Sequence, residues 1–305
     1  MERPGFSHRG LVLLAATTIG WGLNWPIIKV VLRDVAPLTF RGVRLGAGGI
    51  GILLLARLAR QPLTVPSRYW SRLVVLSVCT IMGWNVLVIY GVSLMPAGRA
   101  ALLGYTMPLW SVALSVPLLG EALTARRVFA LLVGMCGIAV LMGKDAAELG
   151  AALAGAALMV GAAFSWGLGM VLLKRFALPI PTAALTGWMM LVGGSPILAG
   201  AALIERDQWR PIGVLPALGL VYNVVVSFMF CYWAWNRLVL MVPVAISSIS
   251  SLATPVLGVL SGMWLLGEPL TWREIVAGAG ILAAIALVLR APGQKPMAAA
   301  TETTR

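Results

Sequence analysis

Long apolar stretches, separated by short polar or basic loops, recur along the whole chain. Each has the length a helix needs to cross the hydrocarbon core of a bilayer. The pattern predicts ten helical spans, at about 11–32, 37–57, 72–94, 98–119, 126–142, 151–174, 182–204, 212–235, 242–266 and 272–290. The fold class implied is all-α integral membrane, with ten transmembrane helices. The first stretch is too long for a signal-peptide core and is followed by further spans, so it is read as mature structure. Little chain remains for a soluble domain. The longest tail, 291–305, is rich in Pro, Ala and Thr and is expected to be disordered and cytoplasmic.

The pattern is written twice. Leu-Leu-Gly-Glu-Ala-Leu-Thr at 118–124 returns as Leu-Leu-Gly-Glu-Pro-Leu-Thr at 265–271, so Glu121 and Glu268 stand 147 positions apart. Pro108 and Pro255, 13 residues upstream of each, keep the same offset. Gly20-Trp21-Gly22-Leu23 is echoed by Ser165-Trp166-Gly167-Leu168. A period near half the chain length means two copies of one unit, and in so apolar a chain it points to a carrier with its site between the copies. Five helices per copy is an odd number, so the second copy must be inverted in the membrane. The expected organisation is a first five-helix repeat over 1–144 and an inverted second repeat over 145–290, joined at the polar loop holding Lys144, Asp145 and Glu148.

Composition sharpens this. Of 305 residues, 60% are hydrophobic and 11% charged, against roughly a quarter charged in soluble domains. The net charge of +13 does not call for a nucleic-acid partner. The basic residues sit in short loops beside apolar spans, where they set topology and meet anionic lipid headgroups. With both termini on one side, that side collects 14 of the 23 basic residues, which places the termini in the cytoplasm. Glycines in spans 2, 5 and 10 (Gly46, Gly48, Gly49, Gly51, Gly134, Gly137, Gly278 and Gly280) are read as close-packing positions.

The chemistry is sparse. Cys79, Cys136 and Cys231 lack metal-ligand spacing, and the single histidine, His8, precedes the first span. No metal site, cofactor, catalytic triad or metalloprotease motif is expected. None of the ten acids lies within 35–120, 149–204 or 208–267, so no mid-membrane coupling acid is visible. Glu121 and Glu268 are read as structural anchors. Each lies near the start of the last helix of its half, where Thr124 and Thr271 are natural N-caps. Pro108 and Pro255, matched across the copies, are read as fixed bends that can also serve as hinges. Lys29 and Arg44 are expected to snorkel to the interface, and Arg99 is placed to meet a carboxylate.

The positive signal is aromatic and amide-rich. The chain has 12 tryptophans. Trp70, Trp209 and Trp272 flank spans as interfacial anchors. Trp21 and Trp166 match across the copies beside glycine, where the backbone can be approached closely. Mid-span polar groups need interior partners. The candidate cavity therefore comprises Trp21, Asn24, Asn85, Tyr90, Tyr105, Trp166, Trp188, Tyr222, Asn223 and Ser248. Of these, Trp21, Asn24, Trp166 and Asn223 are expected to share one chamber suited to a small amphipathic molecule.

These residues resemble those of the drug/metabolite transporter superfamily, in its EamA-type ten-helix branch. The likeness covers essentially the whole chain. It rests on Trp21, Gly22, Asn24 and Lys29, on Arg44 in helix 2, and on the two copies of Pro followed by Gly-Glu-x-Leu-Thr. The second copy of the first motif departs from the pattern, with Gly169 at the asparagine position. The resemblance implies a bacterial inner-membrane exporter of small metabolites, working by alternating access and most similar to the aromatic and neutral amino-acid branch. It implies a small-molecule substrate, a lipid environment and a chain able to act as a monomer. A multidrug or cationic-compound exporter of the same fold stays open. A membrane-embedded enzyme or a channel is disfavoured, the former because no nucleophile–base pair is visible.

Overall fold

A computed structural model describes residues 8–120, 151–231 and 244–289, with position 234 and scattered positions from 125 to 140. The helices are α1 (His8–Gly22), α2 (Asn24–Val31), α3 (Pro37–Leu58), α4 (Trp70–Leu76) and α5 (Trp84–Ser93). They continue with α6 (Ala97–Gly104), α7 (Met107–Leu119), α8 (Ala151–Phe176), α9 (Thr182–Ile204), α10 (Val214–Tyr222), α11 (Val244–Leu266) and α12 (Trp272–Leu289). Single π-helical stretches, Ser77–Gly83 and Asn223–Phe230, join α4 to α5 and extend α10. No strand occurs among the described residues.

Five continuous helical runs are long and apolar enough to cross a membrane: Pro37–Leu58, Ser67–Ser93, Ala97–Leu119, Leu153–Phe176 and Thr182–Ile204. Val214–Phe230 and Val256–Leu266 are shorter apolar helices. The fifth sequence span, the glycines within it and the tail 291–305 lie outside the described residues. The surface is inside-out relative to a soluble protein. Leu58, Leu203, Val214 and Trp264 are each 79% exposed or more, while Arg41 and Arg44 are at 1% and 2%. Apolar exposure on this scale fits a lipid solvent.

The breaks have local causes. Pro26 has no N–H to give the Gly22 carbonyl, and the first span divides at Leu23. The Ser261 hydroxyl takes that carbonyl at 3.3 Å. Likewise Pro196 leaves the Val192 carbonyl to the Ser195 hydroxyl at 3.2 Å, and α9 stays continuous. The fourth span divides at Tyr105–Thr106, just before Pro108 opens α7. Its counterpart Pro255 falls inside the unbroken α11. The matched prolines therefore do not make matched breaks, and their side chains lie outside the described residues.

Other features do repeat. An offset of 147 carries Ser77–Gly83 onto 224–230, within the second π-helical stretch. Gly120 and Gly267, also 147 apart, both end a helix at positive φ, 68° and 66°. A residue with a side chain would be strained there. The contacts match too: α7 packs on α8, as α11 packs on α1.

The two halves meet across α3 and α9. A Cβ on Gly49 would lie 3.1 Å from the Gly187 carbonyl, and one on Gly42 would lie 2.8 Å from the Leu198 Cα. Close backbone approach of this kind replaces the hydrophobic drive that is absent in lipid. Gly48 packs on Phe228 and Gly51 on Met229, whereas Gly46 faces open space.

Candidate functional site

The centre of the site is Arg44. It stands seven residues past the start of α3, roughly 10 Å along the helix axis at 1.5 Å per residue. Its Nη1 donates to Asn223 Oδ1 at 2.7 Å, and its Nη2 donates to Asn85 Oδ1 at 2.8 Å. Arg41, one turn earlier, donates through Nη1 to the same Asn85 oxygen at 3.1 Å. The Phe228 ring lies 4.0 Å from the Arg44 guanidinium carbon and the Phe40 ring 5.2 Å away.

The amides are aimed by their own helices. Asn85 Nδ2 donates to the Ile81 carbonyl at 2.8 Å and Asn223 Nδ2 to the Gly219 carbonyl at 3.1 Å, each four residues back. With the NH₂ groups engaged, both carbonyl oxygens turn toward the guanidinium. Asn85 and Asn223 are almost wholly buried, at 2% and 0%.

The expected snorkelling of Arg44 is thus corrected. Two amide oxygens and two aromatic faces replace water around the guanidinium, so the side chain need not reach the interface. Lys29 remains partly exposed and pairs with Glu268 at 3.4 Å. The sequence reading missed Arg41, Phe40 and Phe228. Two arginines three apart within an apolar helix were the available signal, since both cannot snorkel cheaply.

Trp21 and Tyr222 join this region from the side. Trp21 Nε1 donates to the Ser227 carbonyl at 3.0 Å, and the Tyr222 hydroxyl donates to the Gly20 carbonyl at 2.8 Å. Ser227 is one turn beyond Asn223, so Trp21 and Asn223 border one stretch of the second copy. Asn24 Oδ1 is buried with no hydrogen-bond partner among the described residues.

Trp166 lies in a second, aromatic group. Its ring meets Trp84 edge-on at 5.2 Å, and Trp25 meets Tyr105 at 6.3 Å. Trp25 and Trp84 converge over Gly104, where an added Cβ would lie 3.0 and 3.4 Å from their ring tips. Trp84 and Asn85 are neighbours on α5, so that helix links the aromatic group to the arginine centre. Tyr90 is half-buried and packs between the two apolar cores. Trp188 is peripheral, 5.6 Å from Trp70 and bonded to the Leu63 carbonyl at 2.8 Å. The side chain of Ser248, and all of Glu121, lie outside the described residues.

One end of the bundle is tied by carboxylates. Glu268 accepts the backbone N–H groups of Ala97 and Gly98 at 2.7 and 3.1 Å, capping α6 rather than the helix it precedes. The cap of α12 is instead Glu274, which accepts the Thr271 N–H at 3.0 Å and the Thr271 hydroxyl. Glu274 also pairs with buried Arg99 at 2.7 Å. Glu205 caps α3 through Leu38 and Thr39 at 2.9 and 2.7 Å. A crevice of about 340 Å³ lies between α1 and α11, lined by Ile19, Leu23, Leu257, Leu260, Ser261, Met263 and Trp264. It is almost wholly apolar and sits beside exposed Trp264, so it suits an acyl chain better than a polar solute.

An apolar exterior enclosing a desolvated polar centre, built jointly by two copies of one unit, defines a multi-pass membrane transporter. The chain belongs to the EamA-like transporter family, whose profile matches it twice, over residues 8–143 and 153–290. It is 26% identical over 296 residues to the "Probable amino-acid metabolite efflux pump" of Salmonella typhimurium, covering 92% of this chain and 94% of that one. It is 25% identical over 267 residues to the "Uncharacterized transporter YoaV" of Bacillus subtilis, covering 87% and 91%. A solved crystal structure shares the fold at a TM-score of 0.65 and 22% identity, over 91% of this chain and 95% of its own.

Proposed function

We propose that this protein exports small metabolites, neutral or aromatic amino acids foremost, by alternating access across the bacterial inner membrane. The carrying observation is that Arg44 of the first copy binds Asn223 of the second at 2.7 Å inside the bundle. A site shared by two copies is altered whenever they move relative to each other, and alternating access requires that. The repeated glycine ends, the repeated π-helical stretches and the name of the Salmonella relative support the reading. Ten spans in two inverted five-helix repeats, with both termini cytoplasmic, complete it. A buried guanidinium disfavours the cationic-drug alternative, because it repels a second cation in a low-dielectric site. No enzymatic role is proposed.

The test is counterflow in liposomes with a panel of amino acids and cationic drugs. Saturable uptake, driven by preloaded neutral or aromatic amino acid, is expected. Linear, non-saturating flux would mean a channel. Single cysteines at 60 and 295 should label from the cytoplasm and one at 145 from outside. Labelling of 60 and 145 from the same side would reject the inverted arrangement.

A further inference from the structure

We infer that Arg44 is the receptor for a substrate carboxylate, which would make the cargo a carboxylate-bearing solute; this rests on the carrier reading above. The guanidinium has five N–H donors. One Nη1 donor goes to Asn223 and one Nη2 donor to Asn85. Nε is buried with no hydrogen-bond partner among the described residues. The edge formed by Nε and Nη2 is the side-on fork to which a planar carboxylate binds with two parallel hydrogen bonds.

Charge points the same way. The partners of Arg44 among the described residues are two amides and two aromatic rings, all neutral. Four of the described acids are engaged elsewhere, among them Glu205 on α3, Glu268 on α6 and Lys29, and Glu274 on Arg99, while Asp207 is exposed in the turn after α9. Asp34 is spent on Gly213 and Arg210. A desolvated guanidinium held only by dipoles gains most from an arriving anion, since Coulomb attraction there is screened far less than in water. The two amides fix the position of the guanidinium. Phe228, 4.0 Å from the guanidinium carbon, covers one face, so a ligand has to meet the cation in its own plane, at the Nε–Nη2 edge. A single planar edge suits a monocarboxylate, whereas a tetrahedral dianion needs donors on several sides.

The test uses the full chain in detergent and in liposomes. Probes are phenylalanine, its primary amide, its decarboxylated amine and inorganic phosphate. Thermal stabilisation reads binding without needing transport; counterflow reads transport. In the wild type, the acid should stabilise and compete at concentrations roughly tenfold or more below the amide and the amine, as expected when a buried charged hydrogen bond goes unmade. Arg44→Gln should remove that preference while keeping a monodisperse elution profile. Arg44→Lys should restore part of it, because charge returns without the fork.

Equal stabilisation by acid, amide and amine in the wild type would overturn the assignment, whether or not Arg44→Gln folds. So would stabilisation by phosphate rather than acid, an unchanged acid preference in Arg44→Gln, or no stabilisation by any probe. Acid binding that depends on Arg44, without counterflow, would keep the site and reject the carrier. Counterflow that ignores the carboxyl group would keep the carrier and reject the site.

Discussion

The Glu268 carboxylate accepts the backbone N–H of Ala97 at 2.7 Å, across 171 positions of chain. It therefore clips the second copy to the first helical turn of α6 in the first copy. Pro96 precedes that turn, and Pro243 precedes α11 at the repeat offset of 147. Glu121 and Glu268 keep the same offset, so the repeat predicts a reciprocal clip from Glu121 to the start of α11 at Val244.

Loss of either clip should weaken the protein without removing transport. Glu268→Gln and Glu121→Gln are each expected to cost about 0.5–2 kcal/mol, the range for a lost helix cap. Thermal unfolding in detergent measures this, alongside turnover per folded molecule. Cysteines at 268 with 97, and at 121 with 244, should cross-link and arrest transport until reduced. Two well-folded glutamine variants with no transport at all would show that these acids do more than anchor.

The Arg99–Glu274 pair should be costly to break on one side only. Both side chains are under 9% exposed and 2.7 Å apart. Glu274→Leu or Arg99→Met alone should destabilise by about 3–5 kcal/mol, because a buried charge is left uncompensated. The double substitution Arg99→Met with Glu274→Leu should recover much of the loss. A double-mutant cycle on unfolding checks this, and strictly additive losses would mean the pair is not coupled.

Trp21 and Trp166 should separate into two roles, as their surroundings differ. Trp166→Ala removes a ring that meets Trp84 edge-on, 5.2 Å away. It should raise the half-saturation concentration for aromatic substrates about 5–150-fold, the equivalent of roughly 1–3 kcal/mol. Trp21→Phe keeps an aromatic ring but removes the bond to the Ser227 carbonyl, and should cost about 1 kcal/mol of stability with substrate affinity largely kept. Counterflow titrations and thermal unfolding of the two variants give both readings. Equal affinity in Trp166→Ala would take that ring out of the site.

The membrane class and the doubling were legible beforehand. They depend on properties that act along the chain: the length of an apolar run and the recurrence of Gly-Glu-x-Leu-Thr. Asn85 and Asn223 were legible as interior residues because an amide in hydrocarbon needs a partner. Which partner was not. Arg44 was assigned to the interface, since a lone cation on an apolar helix normally snorkels. Glu268 was assigned to the helix that follows it, since capping is normally local.

What the sequence alone determined is therefore the one-dimensional part of this protein: a chain of apolar spans, written twice, with no acid within 35–120, 149–204 or 208–267. Tertiary structure decided the rest. Asn85 and Asn223 reach Arg44 from 41 and 179 positions away, and only packing of α3 against both copies brings them together. The same holds for Glu268 on Ala97. Desolvation turns on which long-range neighbours exclude water, and no local pattern encodes that. A cation expected at the membrane surface became the centre of the site because two distant amides and two phenyl rings close around it.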